Sequence, residues 1–198
     1  MVFRMTEIDI HTQILEAAEE RFNQYGYNKT TMAEISRDCN MSAANLYRYF
    51  ENKLEIATVL AQKCLADKEV LLASIVNDVS LSSNEKLEAF VSSSLHYTYN
   101  HFDVSPKLGE LVIALSDQRP EVVEQHRLSK LKLLSELLEQ AQHSGDFQFD
   151  DVDDTADAIH TAIMLFYYPL TIKMYPLATL ELKAKNLCQL MLAGLQTR

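Results

Sequence analysis

The sequence is poor in the residues from which phosphate-binding loops and many catalytic motifs are built. Its 198 residues include only 4 glycines, 4 prolines, 3 cysteines and no tryptophan. No glycine-rich phosphate loop is present, and neither an HExxH nor a GxSxG pattern occurs. We therefore predict that the chain is not an enzyme, and we expect it to hold no cofactor and no metal ion.

The cysteines are too few and too scattered for a disulfide framework. Cys39, Cys64 and Cys188 lie far apart in the sequence and form no CxxC motif. They are interpreted as buried thiols in a reducing compartment. A redox-sensing pair is the alternative, if the fold brings two of them together.

A long apolar segment is also missing. No run approaches the ~20 residues needed to span a bilayer, and residues 1–10 alternate polar and apolar side chains instead of resembling a signal segment. These features predict a cytoplasmic protein that makes no membrane contact.

Positive charge is scarce, with 18 Lys and Arg against 28 Asp and Glu and a net charge of -10. Even residues 1–53, with six basic and eight acidic side chains, are slightly acidic. Contact with a nucleic acid would therefore depend on where the basic side chains are placed and not on the net charge, with the glutamates at 16, 19 and 20 pointing away from the contact surface. The cations that could form a local basic rim are Arg4, Lys29, Arg37, Arg48 and Lys53.

What the chain does contain is hydrophobic residues, 47% of the total, and they recur with helical periodicity. No alternating segment indicates a sheet, so we predict an all-α protein with a small domain at 1–53 and a larger one at 54–198. The predicted helices beyond the first domain cover about 52–79, 84–101, 105–117, 120–143, 152–170 and 178–195.

Residues 30–53 predict two short helices joined by a tight turn. Thr31 can cap a helix from Met32 to about Cys39, with Glu34 completing a capping box. Asn40 tolerates the left-handed backbone that leaves this helix, and Ser42 can cap a second helix from about Ala43 to Phe50. This arrangement is typical of a helix-turn-helix that enters a DNA major groove.

The second helix has one apolar face, with Leu46 and Phe50, and one polar face. On the polar face Asn45 and Arg48 suit base edges or phosphates, and the small Ala44 allows close approach to the groove. The alternatives are that the tyrosines only pack and that Lys53 is a solvated helix-start charge. The residues to which we assign DNA binding are Thr31, Ser42, Ala43, Ala44, Asn45, Tyr47, Arg48, Tyr49 and Lys53.

The segment Asn-Met-Ser-Ala-Ala-Asn-Leu-Tyr-Arg-Tyr-Phe-Glu-Asn-Lys at 40–53 resembles the DNA-binding domain of TetR/AcrR-type transcriptional regulators. As in that family, an amphipathic helix that ends at Gly26 precedes it, and the inward stripe of this helix is Ile14, Ala17, Ala18 and Phe22. The family often has glycine where Asn40 and Ala44 stand. The resemblance implies phosphate contacts by Tyr47, Tyr49 and Lys53, and a homodimer that represses transcription from a near-palindromic DNA operator.

The resemblance also implies that the C-terminal domain is a helical bundle for ligand binding and dimerisation. Its effector would be a small, mostly apolar molecule, although each candidate lining residue could instead be core. The candidates are His96, Tyr97, Tyr99, Phe102, His126, His160, Met164, Phe166, Tyr168, Met174 and Tyr175. A ligand-independent architectural or partner-binding protein with the same DNA-binding unit is the alternative function.

Two features of the C-terminal half have competing interpretations. The acidic cluster at 150–154 can cap the following helix or bind a metal, and the capping role is favoured. The last two helices, with a stripe at Leu180, Ala184, Leu187, Met191 and Leu195, can form a four-helix dimer interface or pack inside one chain.

Overall fold

The computed structural model describes residues 7–103 and 107–196, and this part of the chain is helical without a β-strand. A single bridge joins Phe147 and Gln196. The prediction of an all-α protein is confirmed. The helices are α1 (Glu7–Tyr25), α2 (Met32–Asp38), α3 (Ala43–Leu46), α4 (Lys53–Val76), α5 (Ser83–Asp103), α6 (Leu108–Gln118), α7 (Pro120–His143), α8 (Val152–Ala162), α9 (Met164–Tyr167), a 3₁₀ turn (Ile172–Met174) and α10 (Leu177–Leu195).

The chain folds as two compact units, and α4 contributes to both. The first unit extends to Cys64 and also includes the segment Ser105–Val123, which contains α6. The second holds the remaining residues, from Leu65 onward. The boundary predicted after Lys53 does not coincide with this division, because α4 continues without interruption and α6 packs with the N-terminal helices.

The first unit has its own apolar core. Its inward side chains come from every helix of the unit, and α6 adds Leu111 and Leu115. The predicted stripe of α1 is confirmed at Ile14, Ala18 and Phe22, which are fully buried. The other core residues include Ile35, Leu46, Phe50 and Ile56.

Local chemistry explains where α1 ends. Gly26 has a φ of +93°, a conformation that side chains rarely adopt, and its N–H donates to Phe22 O at 3.0 Å. Beyond it, the backbone N–H of Asn28 donates to the Glu110 carboxylate of α6 at 3.0 Å. The loop after α1 is therefore held within its own unit.

The second unit is a helical bundle around a continuous apolar core. Helix α5 packs against α10 and α9, and α7 contributes Leu134, Leu137 and Leu138. The start of α7 at Pro120, its end before Gly145, and the helix predicted over 178–195 agree with the structure to within about one residue. Asp151 caps α8 by accepting from the Asp154 N–H at 2.9 Å, as expected.

Three further details concern the helix after Asp151, the stripe on the last helix and the start of α6. The helix expected over 152–170 is interrupted at Ile163, whose ψ of 4° leaves the helical region, and α9 follows as a separate turn. The stripe on the last helix lies in the core of its own unit, since Leu180 is fully buried and Met191 packs against the core. The predicted start of a helix at Ser105–Pro106 lies outside the described residues.

The three cysteines are free thiols. Cys39 and Cys188 are buried, as predicted, whereas Cys64 is only partly buried. Burial raises the pKa of Cys39, and it raises the pKa of Cys188 to about 11, so both stay protonated near neutral pH. None of the described helices is long and apolar enough to cross a membrane.

Candidate nucleic-acid interface

Helix α2 begins at the predicted capping box. The Thr31 N–H donates to the Glu34 carboxylate at 2.9 Å, and the Glu34 N–H donates to Thr31 Oγ1 at 3.3 Å. The Thr31 hydroxyl also donates to the same carboxylate at 2.8 Å, which holds the pKa of Glu34 below its usual value. The reciprocal bonds fix where α2 starts.

The turn between the two helices also forms as predicted. Asn40 has a φ of 53°, and the N–H of Met41 donates to Ser36 O at 2.9 Å across it. Ser42 Oγ then accepts from the Asn45 N–H at 3.2 Å and caps α3. Because hydrogen bonds define both ends of the turn, α3 has a defined direction relative to α2.

Helix α3 is shorter than predicted, since its regular part covers only Ala43–Leu46. Residues 47–50 continue it as hydrogen-bonded turns, in which Arg48 N–H donates to Asn45 O at 3.1 Å and Phe50 N–H donates to Leu46 O at 3.1 Å. Leu46 and Phe50 remain buried. Anchoring by these two side chains leaves Tyr47 and Arg48 facing outward, whereas Tyr49 is partly buried and packs against the core of the first unit.

The outward surface of this segment is polar and accessible. Tyr47 is 53% exposed, Ala44 and Arg48 are exposed, and Asn45 and Tyr49 are partly so. The side chains of Tyr47 and Arg48 make no hydrogen bond or ion pair with the residues that the structure describes. A shallow, open depression lies beside them, lined by Asn40, Met41, Ser42, Ala44, Asn45 and Arg48.

Lys53 occupies a different setting from the other predicted DNA-binding residues. Its ammonium donates to Tyr27 O at 2.6 Å and to Thr30 O at 2.9 Å, and it lies 4.2 Å from the centroid of the Tyr27 ring. Burial lowers the pKa of Lys53, while the nearby carboxylates of Glu110 and Glu34 oppose that shift. Lys53 thus holds the α1–α2 loop, a role that the sequence pattern alone does not indicate.

Three of the five cations expected in a basic rim are solvent-exposed. Lys29, Arg37 and Arg48 are exposed, as are the glutamates at 16, 19 and 20. Arg21, which was not included in the rim, binds the Asp38 carboxylate and lies 3.5 Å from Glu34. Arg4 lies outside the described residues.

The predicted effector residues occupy several settings in the second unit, and the Tyr97 ring centroid lies 5.8 Å from Lys68 Nζ, beside the polar cluster described below. His96 Nε2 lies 2.9 Å from Glu181 near the surface, Tyr97 stacks on His101 at 4.1 Å, and Met164 is 45% exposed. Tyr99 packs against the core of the second unit, and Tyr168 is partly buried.

His126 and His160, by contrast, belong to a buried polar cluster in the second unit. His126 Nδ1 lies 2.7 Å from Glu69, and His160 Nε2 lies 2.9 Å from the Tyr167 hydroxyl. The sequence interpretation missed the lysines of this cluster. The available signal was the position of Lys130 on the stripe of α7 that continues with buried Leu134, Leu138 and Ala141.

Comparisons with known proteins agree with this geometry. The family model "Bacterial regulatory proteins, tetR family" matches residues 14–59, and the model "Tetracyclin repressor-like, C-terminal domain" matches residues 83–188. The uncharacterized HTH-type transcriptional regulator YhgD of Bacillus subtilis (strain 168) is 25% identical over 155 residues, which cover 75% of this chain and 78% of YhgD.

Solved structures share the fold. A transcriptional regulator from Cytophaga hutchinsonii ATCC 33406 superposes with a TM-score of 0.73 at 19% identity, over 94% of this chain and 98% of that one. The flavonoid-responsive regulator FrrA superposes with a TM-score of 0.66 at 23% identity, over 96% and 98% of the two chains. At these identities the structures establish the architecture alone.

Proposed function

Since the chain belongs to the TetR family of helix-turn-helix transcriptional regulators, we propose that it is a sequence-specific repressor released from its operator by a small molecule. The observation that carries the proposal is the exposed pair Tyr47 and Arg48, which stands on a hydrogen-bonded helix-turn-helix without a partner among the described residues. A rigid, outward polar segment of this kind suits the major groove.

The residues of this surface divide into two roles. Arg48 and Asn45 can reach base edges, and the small Ala44 leaves room for the helix to approach a thymine methyl group. Tyr47, Tyr49 and the capping residues Thr31 and Ser42 surround this centre and suit phosphate oxygens. The other proposed contacts are Ala43 and Lys53.

Lys53 can serve DNA and the fold together. Two of its three ammonium donors bind the carbonyls of Tyr27 and Thr30, so one donor is left for a phosphate. A phosphate there would also favour the charged form of the amine, against the effect of burial.

We propose a homodimer, because a near-palindromic operator needs two symmetric helix-turn-helix units. The second unit has apolar side chains that remain exposed to solvent outside its core. Leu182 and Leu190 of α10 are 60% and 71% exposed, and Ala158 and Ala162 of α8 are also exposed. The proposed dimer surface is therefore the outer face of these two helices, opposite the face that we had expected on α10.

Release by a ligand requires that the ligand bind one conformation of the dimer better than the other. A ligand that favours a dimer whose two helix-turn-helix units do not match the spacing of the operator must weaken operator binding by the same coupling free energy. The response of FrrA to flavonoids, as its name states, supports a small organic effector here. Repression is proposed because it is the usual mode of the family.

The proposal is tested with a DNA duplex that the protein selects from a random-sequence pool. We expect Arg48→Ala to weaken binding to that duplex by about 5- to 150-fold, corresponding to about 1–3 kcal/mol for a lost base contact. The matched control is Arg119→Ala, in the same unit, whose guanidinium bonds Glu121 at 2.5 Å. Failure to select any duplex, or equal binding by both variants, would contradict the proposal.

A further inference from the structure

The second unit contains a group of buried and partly buried polar side chains contributed by five helices. Two of them are lysines, which are only 4% and 3% exposed. We call this group the buried lysine cluster. Its members are Lys68 and Glu69 of α4, Thr98 of α5, His126 and Lys130 of α7, His160 of α8 and Tyr167 of α9.

The two lysines meet at one aromatic ring. Lys130 Nζ lies 3.3 Å from the centroid of the Tyr167 ring, and Lys68 Nζ lies 5.6 Å from the same centroid. Lys68 also donates to Thr98 Oγ1 at 2.7 Å. The ring attracts both ammonium groups but supplies no negative charge of its own.

The carboxylate of this cluster already has hydrogen-bond partners. Glu69 is its one carboxylate, and that group already bonds His126 at 2.7 Å and the Ser129 side chain. Asp157 acts on His160 and Tyr167 from the surface, where it lies 3.7 Å from Arg127. The carboxylate that acts on Lys130 is therefore a partly buried one that already has hydrogen-bond partners.

The two histidines of the cluster add no positive charge near neutral pH. Burial, with Lys130 adding to it, lowers the pKa of His126 to about 2 and that of His160 to about 4. Both imidazoles are neutral near pH 7, and the His126–Glu69 contact is a hydrogen bond rather than an ion pair. Burial, with Lys68 adding to it, also lowers the pKa of Lys130 to about 6, although Glu69 opposes the shift, so this amine is mostly neutral near pH 7.

A second observation comes from α5. Ser94 Oγ is buried and has no hydrogen-bond partner among the described residues. Ser94 precedes Thr98 by one helical turn, so both hydroxyls lie on the same face of α5. A buried polar atom without a partner is uncommon and indicates a missing polar neighbour.

We propose that the buried lysine cluster binds the carboxylate of an organic acid with an apolar body, and that Lys130 supplies the counter-charge. A bound carboxylate would favour the protonated form of Lys130, and the apolar core around the cluster suits the apolar remainder of the acid. The role of this acid as the effector rests on the proposed function above. The inference narrows the expected effector from a mostly apolar molecule to an organic anion with an apolar body.

The test uses the full chain with ¹³C-labelled lysine, so that the Lys130 side chain is observed directly by NMR. The probes are acetate, benzoate and octanoate, together with the neutral octanamide and inorganic phosphate. We expect octanoate to shift the Lys130 signal saturably, and octanamide to bind at least about tenfold more weakly because it lacks the charge.

The variants isolate the charge. Lys130→Met removes the amine but keeps an unbranched side chain that is one atom shorter, and it should weaken octanoate binding at least about tenfold, measured by calorimetry. Lys132→Met, two residues further along α7 at an exposed position, should bind octanoate like the parent protein. Removing a buried charge need not unfold the protein, so the first variant remains informative.

Three results would overturn the proposal. They are a Lys130 signal that none of the carboxylates shifts, equal binding of octanoate and octanamide, and binding of inorganic phosphate as tight as that of octanoate. Operator binding is measured separately on the same samples. If octanoate binds at Lys130 but no duplex can be selected, the proposed function fails and this site stands; normal operator binding with an unresponsive Lys130 refutes the site alone.

Discussion

Two lysines show how strongly the surroundings of a residue decide what it does. Lys53 follows the helix-turn-helix, and there its ammonium holds two backbone carbonyls of the α1–α2 loop. Lys130 lies in the core of the second unit over the ring of Tyr167. From sequence alone, both lysines are cations on helices; only the packed neighbours distinguish a loop anchor from a buried charge.

The low pKa of Lys130 predicts how stability changes with pH. An unfolded lysine titrates near 10.4, whereas burial lowers the pKa of the folded Lys130 to about 6. Between these values the unfolded chain binds more protons, so stability rises with pH, by at most about 1.4 kcal/mol per pH unit. We expect the melting temperature of the parent protein to increase from pH 6 to pH 9.

Substitutions identify the group responsible. Lys130→Met should flatten the pH dependence of the melting temperature, because the titrating amine is gone. Lys132→Met, with an exposed amine, should leave the dependence unchanged. A slope that survives in Lys130→Met would mean that another group controls it, and calorimetry from pH 6 to pH 9 decides the question.

At the level of helices, residues close to each end decide most of the boundaries. The capping box of α2, the left-handed Asn40, the Ser42 cap and the Asp151 cap all form where the pattern predicts them. The two failures are the end of α3 at Leu46 and the break at Ile163. Neither position carries glycine or proline, so the local sequence contains no stop signal there.

The glycines provide a prediction at this level. Gly26→Ala should lower the free energy of unfolding by about 1–2 kcal/mol, because φ at Gly26 is +93° and the new Cβ would lie 2.9 Å from the Glu110 carboxylate. Gly194 lies in α10 with open space around it, so Gly194→Ala should be stabilising by up to about 1 kcal/mol. Urea denaturation of both variants measures the difference, and equal effects would disprove it.

For the molecule as a whole, assembly depends on which apolar side chains remain outside the core. The inward side of α10 is buried in the core of the second unit, and Leu182 and Leu190 remain exposed on the outer side. A net charge of -10 opposes association of two copies, so an apolar contact must offset the repulsion. The same charge makes DNA binding dependent on locally placed cations and sensitive to salt.

The proposed dimer surface is tested by adding charge to it. Leu190→Glu would bury a carboxylate in an apolar contact, and we expect it to weaken dimerisation at least about tenfold, measured by sedimentation equilibrium. Val79→Glu makes the same type of change at a position that is 96% exposed in the turn after α4, and it should leave the association unchanged. A Leu190→Glu protein that dimerises like the parent would place the interface elsewhere.

Short-range sequence patterns were enough to predict the helical class, the caps and turn of the helix-turn-helix, and the anchoring of its surface by Leu46 and Phe50. These features depend on hydrogen bonds and burial periodicity between residues only a few positions apart. The compact units, the inward side of α10 and the buried lysine cluster depend on contacts between distant segments. Lys68 and Tyr167 are 99 residues apart in the sequence, and no local pattern relates them. Only the packing of α4, α7 and α9 brings the two ammonium groups to one ring, because that proximity belongs to the assembled core.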